Sequence, residues 1–262
     1  MKYCRFEAEG GVRYGEVVDR DGEPWIERVV APWPEDPWAK PAAGAFTPIP
    51  LNKAKLLAPV VPSKIVCIGR NYREHAAELG NEVPKEPLLF LKAPSAVIAP
   101  GEAIRIPALS QRVDFEGELA VVVGKRATKI GAGEDVRPYI RGYTIVNDVT
   151  ARDLQKSDGQ WSRGKGFDTF CPMGPLVTNE IDPEAGLTVT TRLNGEVKQL
   201  GTTRDLIFNV ATLLRHITAA MTLLPGDVIP TGTPSGVGPM KGGDVVEVSV
   251  EGIGTLRNPV EA

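Results

Sequence analysis

The chain has 262 residues, a formal net charge of −3 and 24% charged residues, so it carries no basic footprint for a nucleic-acid partner. No apolar run reaches the roughly 18–20 residues needed to cross a bilayer, and the start, Met1-Lys2-Tyr3-Cys4-Arg5, has no signal-peptide hydrophobic stretch. Three widely spaced cysteines (Cys4, Cys67, Cys171) fit neither a disulfide framework nor a zinc knuckle, so a soluble protein of the reducing cytoplasm with no membrane partner is expected.

Abundant glycine and proline favour short strands joined by turns. The expected fold class is α+β, mainly β, with a small N-terminal β domain and linker over residues 1–60 and a larger domain over 61–262. Three alternating runs, Lys2 to Ala8, Val12 to Val18 and Trp25 to Val30, predict a small meander. Glu9-Gly10-Gly11 and Asp21-Gly22 supply its hairpin signals. Ala31 to Pro62, rich in proline and small residues, reads as linker and docking segment around one apolar run at Lys55-Leu56-Leu57-Ala58.

Lys64 to Gly69 is a short buried strand. Asn71 to Gly80 follows as a short helix, with Asn71 and Glu74 in capping-box spacing and Gly80-Asn81 as its stop. Three residues apart on that helix, His75 and Glu78 share a face, as an ion pair or as an acid–base pair. Leu88 to Lys92 and Ala103 to Ile106 are further strand runs. Val113 to Val123 then reads as one strand whose period of two puts Asp114, Glu116 and Glu118 on one face, with Phe115, Gly117 and Leu119 on the other. Such a face is either solvated or gathered around a cation, and a hard divalent ion prefers carboxylate oxygens. Asp148, closing the apolar run Gly142 to Asn147, is the candidate for a further ligand.

Thr150 to Lys156 predicts one or two helical turns with Asp148 or Thr150 near the start, where free backbone amides would hold a carboxylate. Ser157 to Asp168 is a polar, glycine-rich loop in which Lys165 is either an exposed lysine or a contact for an anionic ligand. Asn194-Gly195 marks a hairpin over 187–199, and Arg204 to Leu223 has the spacing of an amphipathic helix with His216 on its surface side. Thr231 to Gly238 has the look of a phosphate loop but lacks its G-K-[ST] ending, so no nucleotide site is expected; its amides can still form an anion nest. Asp244 to Val260 returns to strands.

Five blocks in order resemble the fumarylacetoacetate hydrolase superfamily: Gly69-Arg70-Asn71-Tyr72, Asp114 to Leu119, Asn147 to Asp153, Gly164 to Asp168 and Thr231 to Gly238. The resemblance runs from about residue 59 to the C-terminus, and the N-terminal β region also looks like one that many members carry. It implies a mixed β-sheet roll that forms a homodimer, with Glu116, Glu118 and Asp148 as ligands of Mg²⁺ or Mn²⁺ and Asp114 standing behind them. His75 and Glu78 become, by the same resemblance, an acid–base pair on a lid. Lys165 and Gln155 become groups that hold the substrate or its developing negative charge, and Thr233 a contact to its carboxylate. Arg70 and Arg152 carry over as substrate-binding or structural residues.

Three carboxylates around a dication leave about one net negative charge, so Lys165, Arg70 and Arg152 would be needed to admit an anionic 2-oxo acid. The expected activity is hydrolysis of a C–C bond in an acylpyruvate through a metal-stabilised enolate, with the His75–Glu78 pair activating water. Decarboxylation or tautomerisation of oxaloacetate and isomerisation of 2-hydroxyhepta-2,4-diene-1,7-dioate are the alternatives on the same electron sink. A non-catalytic binding protein of the same fold and a structural Ca²⁺ site are the contrasting readings.

Overall fold

The strand Gly117–Val123, Val-rich and buried along its whole length, is the axis of the molecule. The computed structural model describes residues 1–8, 10–41, 45–78, 80 and 82–262; the turn residue Glu9 and the helix-stop residue Asn81 lie outside the described residues. Gly117–Val123 pairs antiparallel with Ile140–Asn147 on one side and with Val228–Pro230 on the other. The sheet continues through Cys171–Thr178 beyond the first neighbour, and through Ile65–Gly69 and the edge strand Leu88–Lys92 beyond the second. Val228–Pro230 and Ile65–Gly69 run parallel, so the sheet is mixed.

The three N-terminal runs form the meander Lys2–Ala8, Gly11–Arg20 and Glu23–Val30. It does not stand apart, because Lys2 and Tyr3 pair with Thr178 and Val177 and so extend the same sheet, which has twelve strands in all. The stretch expected to be linker also contributes strands. Lys55–Leu57 pairs with Lys2–Ala8, placing Leu56 opposite Phe6, and Ile49–Pro50 pairs with Glu23–Val30. Between Glu23–Val30 and Ile49–Pro50 the chain is pinned by two ion pairs, Arg5 to Asp36 at 2.6 Å and Arg141 to Glu35, with the Arg141 guanidinium 3.9 Å above the Trp33 ring.

A five-stranded sheet, ordered Glu196–Thr202, Thr188–Leu193, Val245–Val250, Gly254–Glu261 and Ile104–Arg105, closes over the first to complete the roll. Leu119, Val121 and Ile145 from one sheet meet Val189, Val248 and Leu256 from the other in a shared core. The hairpin turns at Asn194 and Gly195, both with positive φ as a two-residue turn of this kind demands.

The acidic run is not one strand. Val113–Phe115 belongs to a small three-stranded sheet with Thr150–Ala151 and Gly238–Met240, and the chain passes into the large sheet at Glu116. The helices are short: α1 (Arg73–Glu78), α2 (Arg152–Asp158), α3 (Ser162–Lys165) and α4 (Val210–Ala220). α3 replaces part of the expected loop. α4 starts later than its apolar spacing suggests, because Asn209 caps it through the Thr212 amide while Ile207 donates its amide to Asn71.

Gly117 lies where the two sheets approach closely: a Cβ there would stand 2.2 Å from Thr191 Oγ1 and 2.7 Å from Val248 Cγ1. Gly117→Ala is therefore expected to cost about 1–3 kcal/mol through overpacking, read as a lower melting temperature in thermal denaturation.

Candidate active site

The strand Ile65–Gly69 delivers the chain to the site. Gly69 has no room for a side chain, since a Cβ would meet the Trp161 ring at 2.8 Å. Arg70 follows with φ +58°, a conformation that costs a non-glycine residue about 1–2 kcal/mol. It is held there because Asn71 is fully buried and locked. Asn71 Nδ2 donates to Phe208 O at 3.0 Å and Thr231 O at 2.7 Å, and Oδ1 accepts from the Phe208 amide at 2.8 Å. Asn71 is thus a tie between loops and not a helix cap.

α1 brings His75 Nδ1 to 3.2 Å from Glu78 Oε2, with His75 only 5% exposed. The Glu78 carboxylate also accepts from the Gly236 amide. The glycine-rich Thr231–Gly238 stretch does bind anions through its backbone, and the anions are the protein's own: the Gly232 amide donates to Glu118 Oε2 at 2.7 Å.

Glu116, Glu118 and Asp148 are all buried, and each offers an oxygen within 4.8 Å of the others. Asn147 and Asp148 hold the crossing point at Glu116: the Glu116 amide donates to Asn147 Oδ1 and the Asp148 amide donates to Glu116 O. No helix amide cradles Asp148, because α2 begins only at Arg152 and Thr150–Ala151 is extended. Two lysines take that place. Lys165, in α3 and buried, sets Nζ 2.6 Å from both Glu116 Oε2 and Asp148 Oδ2. Lys92 sets Nζ 2.6 Å from Asp148 Oδ1 and donates to Val149 O.

Arg152 contacts Glu116 at 2.6 Å and Asp114 at 3.0 Å and donates to Gln155 Oε1 at 2.9 Å. Asp114, held also by Arg112, stands behind Arg152 and outside the cluster of three. Burial pushes the Glu118 carboxyl well above its ordinary value, and the charges of Asp148 and Glu116 push it the same way. Burial acts likewise on Glu116, but the neighbouring Lys165, Arg152 and His75 outweigh it and hold that carboxyl well below the usual range. Burial also works against a charged Lys165, yet Asp148 and Glu116 raise its pKa overall.

These groups wall a cavity of about 370 Å³. Arg70, His75, Glu116, Glu118, Asp148, Arg152, Gln155, Lys165 and Thr233 all line it; Glu78 stands behind His75. The Thr233 hydroxyl donates to Gly117 O and accepts from Gln199 Nε2, so it is already engaged within the protein. Sequence reasoning missed Lys92, Phe90 and Trp161. The signal for Lys92 was its place two residues after Phe90, on the same strand face. That face is turned inward: Phe90 lines the cavity, meets the Trp161 ring edge-on at 5.1 Å and has Lys165 Nζ 5.0 Å from its centroid.

An all-oxygen, three-carboxylate donor set suits a hard divalent ion such as Mg²⁺ or Mn²⁺. Asp148 Oδ1 is engaged by the Lys92 ammonium at 2.6 Å, so the fit rests on the chemistry of the donor set: three buried carboxylates, each offering an oxygen within 4.8 Å of the others. The residues fit such an ion.

The chain is similar to several known proteins. Oxaloacetate tautomerase YisK of Bacillus subtilis is 43% identical to this chain over 89% of its length and 81% of the relative's. A crystal structure named as 2-hydroxyhepta-2,4-diene-1,7-dioate isomerase from Mycobacterium marinum superposes with a TM-score of 0.86 at 43% identity, covering 100% of this chain and 98% of that one. Fumarylpyruvate hydrolase from Pseudomonas aeruginosa, in complex with Mn²⁺ and pyruvate, gives a TM-score of 0.71 at 30% identity, covering 78% of this chain and 91% of that one. Residues 1–59 match an N-terminal family described as Rv2993c-like. With residues 64–261 matching the fumarylacetoacetate (FAA) hydrolase C-terminal model, the chain belongs to the fumarylacetoacetate hydrolase family.

Proposed function

We propose that the protein is a divalent-metal-dependent enzyme that enolises a small 2-oxo diacid, with keto–enol tautomerisation of oxaloacetate as the reaction that fits best. The observation carrying this reading is one acid–base group, His75 backed by Glu78, on the wall of the same cavity as the carboxylate triad and Lys165. Tautomerisation needs a proton shuttle and a way to stabilise an enolate, and nothing more. The names of the relatives support it, since YisK is an oxaloacetate tautomerase and the Mycobacterium marinum neighbour a dienedioate isomerase.

In this reading Glu116, Glu118 and Asp148 hold a Mg²⁺ or Mn²⁺ ion. When bound, the ion supplies Lewis-acid polarisation of the substrate's keto oxygen. With Nδ1 engaged by Glu78, His75 takes the C3 proton at Nε2 and gives it to the enolate oxygen, with the reverse transfer in ketonisation, and the Glu78 carboxylate steadies the imidazolium formed. Lys165 lends positive charge to the oxygen on which negative charge develops. Phe90 and Trp161 keep that side of the cavity apolar, so water competes less for these charges.

The charge count favours a diacid. Asp114, Glu116, Glu118 and Asp148 are opposed by Lys92, Lys165, Arg152 and Arg112. Lys92 removes the negative excess that the sequence suggested. With Arg70 and Lys156 also on the cavity wall, a bound dication would leave the site an excess of positive charge, which suits a dianionic ligand. Hydrolysis of an acylpyruvate is the second reading, favoured by the same His75–Glu78 pair, which can also activate water. The functional unit in either reading is a homodimer acting on a small 2-oxo acid in the cytoplasm.

The deciding experiment follows oxaloacetate tautomerisation, acetylpyruvate and fumarylpyruvate cleavage and 2-hydroxydienoate isomerisation with Mg²⁺ and with a chelator. Fastest turnover of oxaloacetate, abolished by the chelator, is expected; faster acylpyruvate cleavage would hand the assignment to the hydrolase. Glu116→Ala is expected to lose Mg²⁺ binding in calorimetry and at least about 10²-fold in kcat. His75→Ala should lower kcat by about 10²–10⁴-fold while Mg²⁺ still binds, measured by the same two assays. Lys92→Met leaves Asp148 with one ammonium, and a loss of about 1–3 kcal/mol is expected in thermal denaturation. Because the remaining charge is more negative, Mg²⁺ should raise the melting temperature of that variant more than that of the wild type.

A further inference from the structure

The strained, partly exposed residue on the cavity wall has a use that the buried groups do not cover. Lys92, Lys165 and Arg152 each contact a carboxylate of the protein. Arg70 differs. It lines the cavity, and among the described residues its guanidinium makes no hydrogen bond or ion pair; its neighbour is the Trp161 ring, 6.0 Å away. Its backbone sits at φ +58°, where glycine would serve the turn without strain. Gly69 is confined by Trp161 and Asn71 is locked to Phe208 and Thr231, so the turn between them is imposed from both sides. A long cationic side chain at a position that prefers glycine indicates that the side chain is what matters there.

We infer that Arg70, backed by Trp161, is the subsite for the far end of the substrate and that this end carries a carboxylate. The inference rests on the proposed 2-oxo acid chemistry and deepens it. A guanidinium receives a carboxylate through two parallel N–H donors, and the flat indole beside it limits the directions it can take. The buried triad and Lys165 take the 2-oxo head, and the partly exposed Arg70 takes the tail. The remaining cavity cation, Lys156, is exposed on α2 and is the competing candidate for the same role. Arg70 therefore selects diacids over monoacids that share the same head.

Oxaloacetate and 2-oxobutanoate are four-carbon 2-oxo acids that differ in the far carboxylate. Their dissociation constants are to be measured by calorimetry with Mg²⁺ for wild type, Arg70→Gly and Lys156→Met. Glycine suits the left-handed backbone, so the melting temperature of Arg70→Gly is expected not to fall, and a folded variant is available for the comparison. Wild type should prefer the diacid by about 10- to 100-fold, and Arg70→Gly should bring that ratio to within a few-fold. An unchanged ratio in Arg70→Gly, or a collapse in Lys156→Met alone, would overturn the assignment while leaving the 2-oxo acid chemistry in place. If neither acid binds the Mg²⁺-loaded wild type, the proposed function fails and the subsite fails with it.

Discussion

Carboxylates taken out of water side by side repel one another and lose their hydration, so a dry cluster of three persists only if positive charge is brought to it. In this protein that charge comes from distant parts of the chain. Lys92 arrives on the edge strand, Lys165 on a one-turn helix and Arg152 at the start of another. The folding of the large sheet, the crossing at Glu116 and the short helices can all be understood as bringing these three cations within reach of the acids. Each alone would be an expensive buried charge; together they are a neutral assembly with a cavity on one side.

The loop expected to bind an outside anion is occupied from within. The Gly232 amide holds Glu118 and the Gly236 amide holds Glu78. One stretch of backbone thus touches both the candidate metal cluster and the candidate acid–base pair. Gly232 has φ +106° and presses on the Asn71 side chain, where a Cβ would stand 2.7 Å away. Asn71 in turn bears on the strained Arg70. Rigid contacts of this kind keep side chains from different elements in one geometry, although Gly232, Gly236 and Asn71 themselves lie outside the regular helices and strands.

Much of this was legible from local pattern. Period-two alternation brought out Glu116 and Glu118, and the end of the next apolar run brought out Asp148, because strands impose those spacings whatever surrounds them. The Asn194-Gly195 turn was equally plain, since few residues accept its backbone angles. What escaped is what depends on partners far away. Lys92 looked like the polar end of a strand; its reason is Asp148, 56 positions on. Asn71 had the spacing of a helix cap, but its side chain answers to Phe208 and Thr231. The apolar spacing before α4 ran on through Leu206 and Ile207, and only the hydrogen bond from Ile207 to Asn71 shows why the helix waits. Local chemistry foretells an element's kind, and tertiary hydrogen bonds decide where it begins.

The pairing of Lys2 and Tyr3 with Thr178 and Val177 has a consequence for the molecule's solubility. Cys171–Thr178 is buried at every residue, and without the first strand part of its hydrogen-bonding edge would face solvent as an open template for foreign strands. The N-terminal meander is thus a cover as well as an appendage, carrying the rim of the sheet outward past Gly11–Arg20 and Glu23–Val30 to the two-residue strand Ile49–Pro50. The leading segment closes an edge of the main sheet, while among the described residues none of 1–60 lines the cavity.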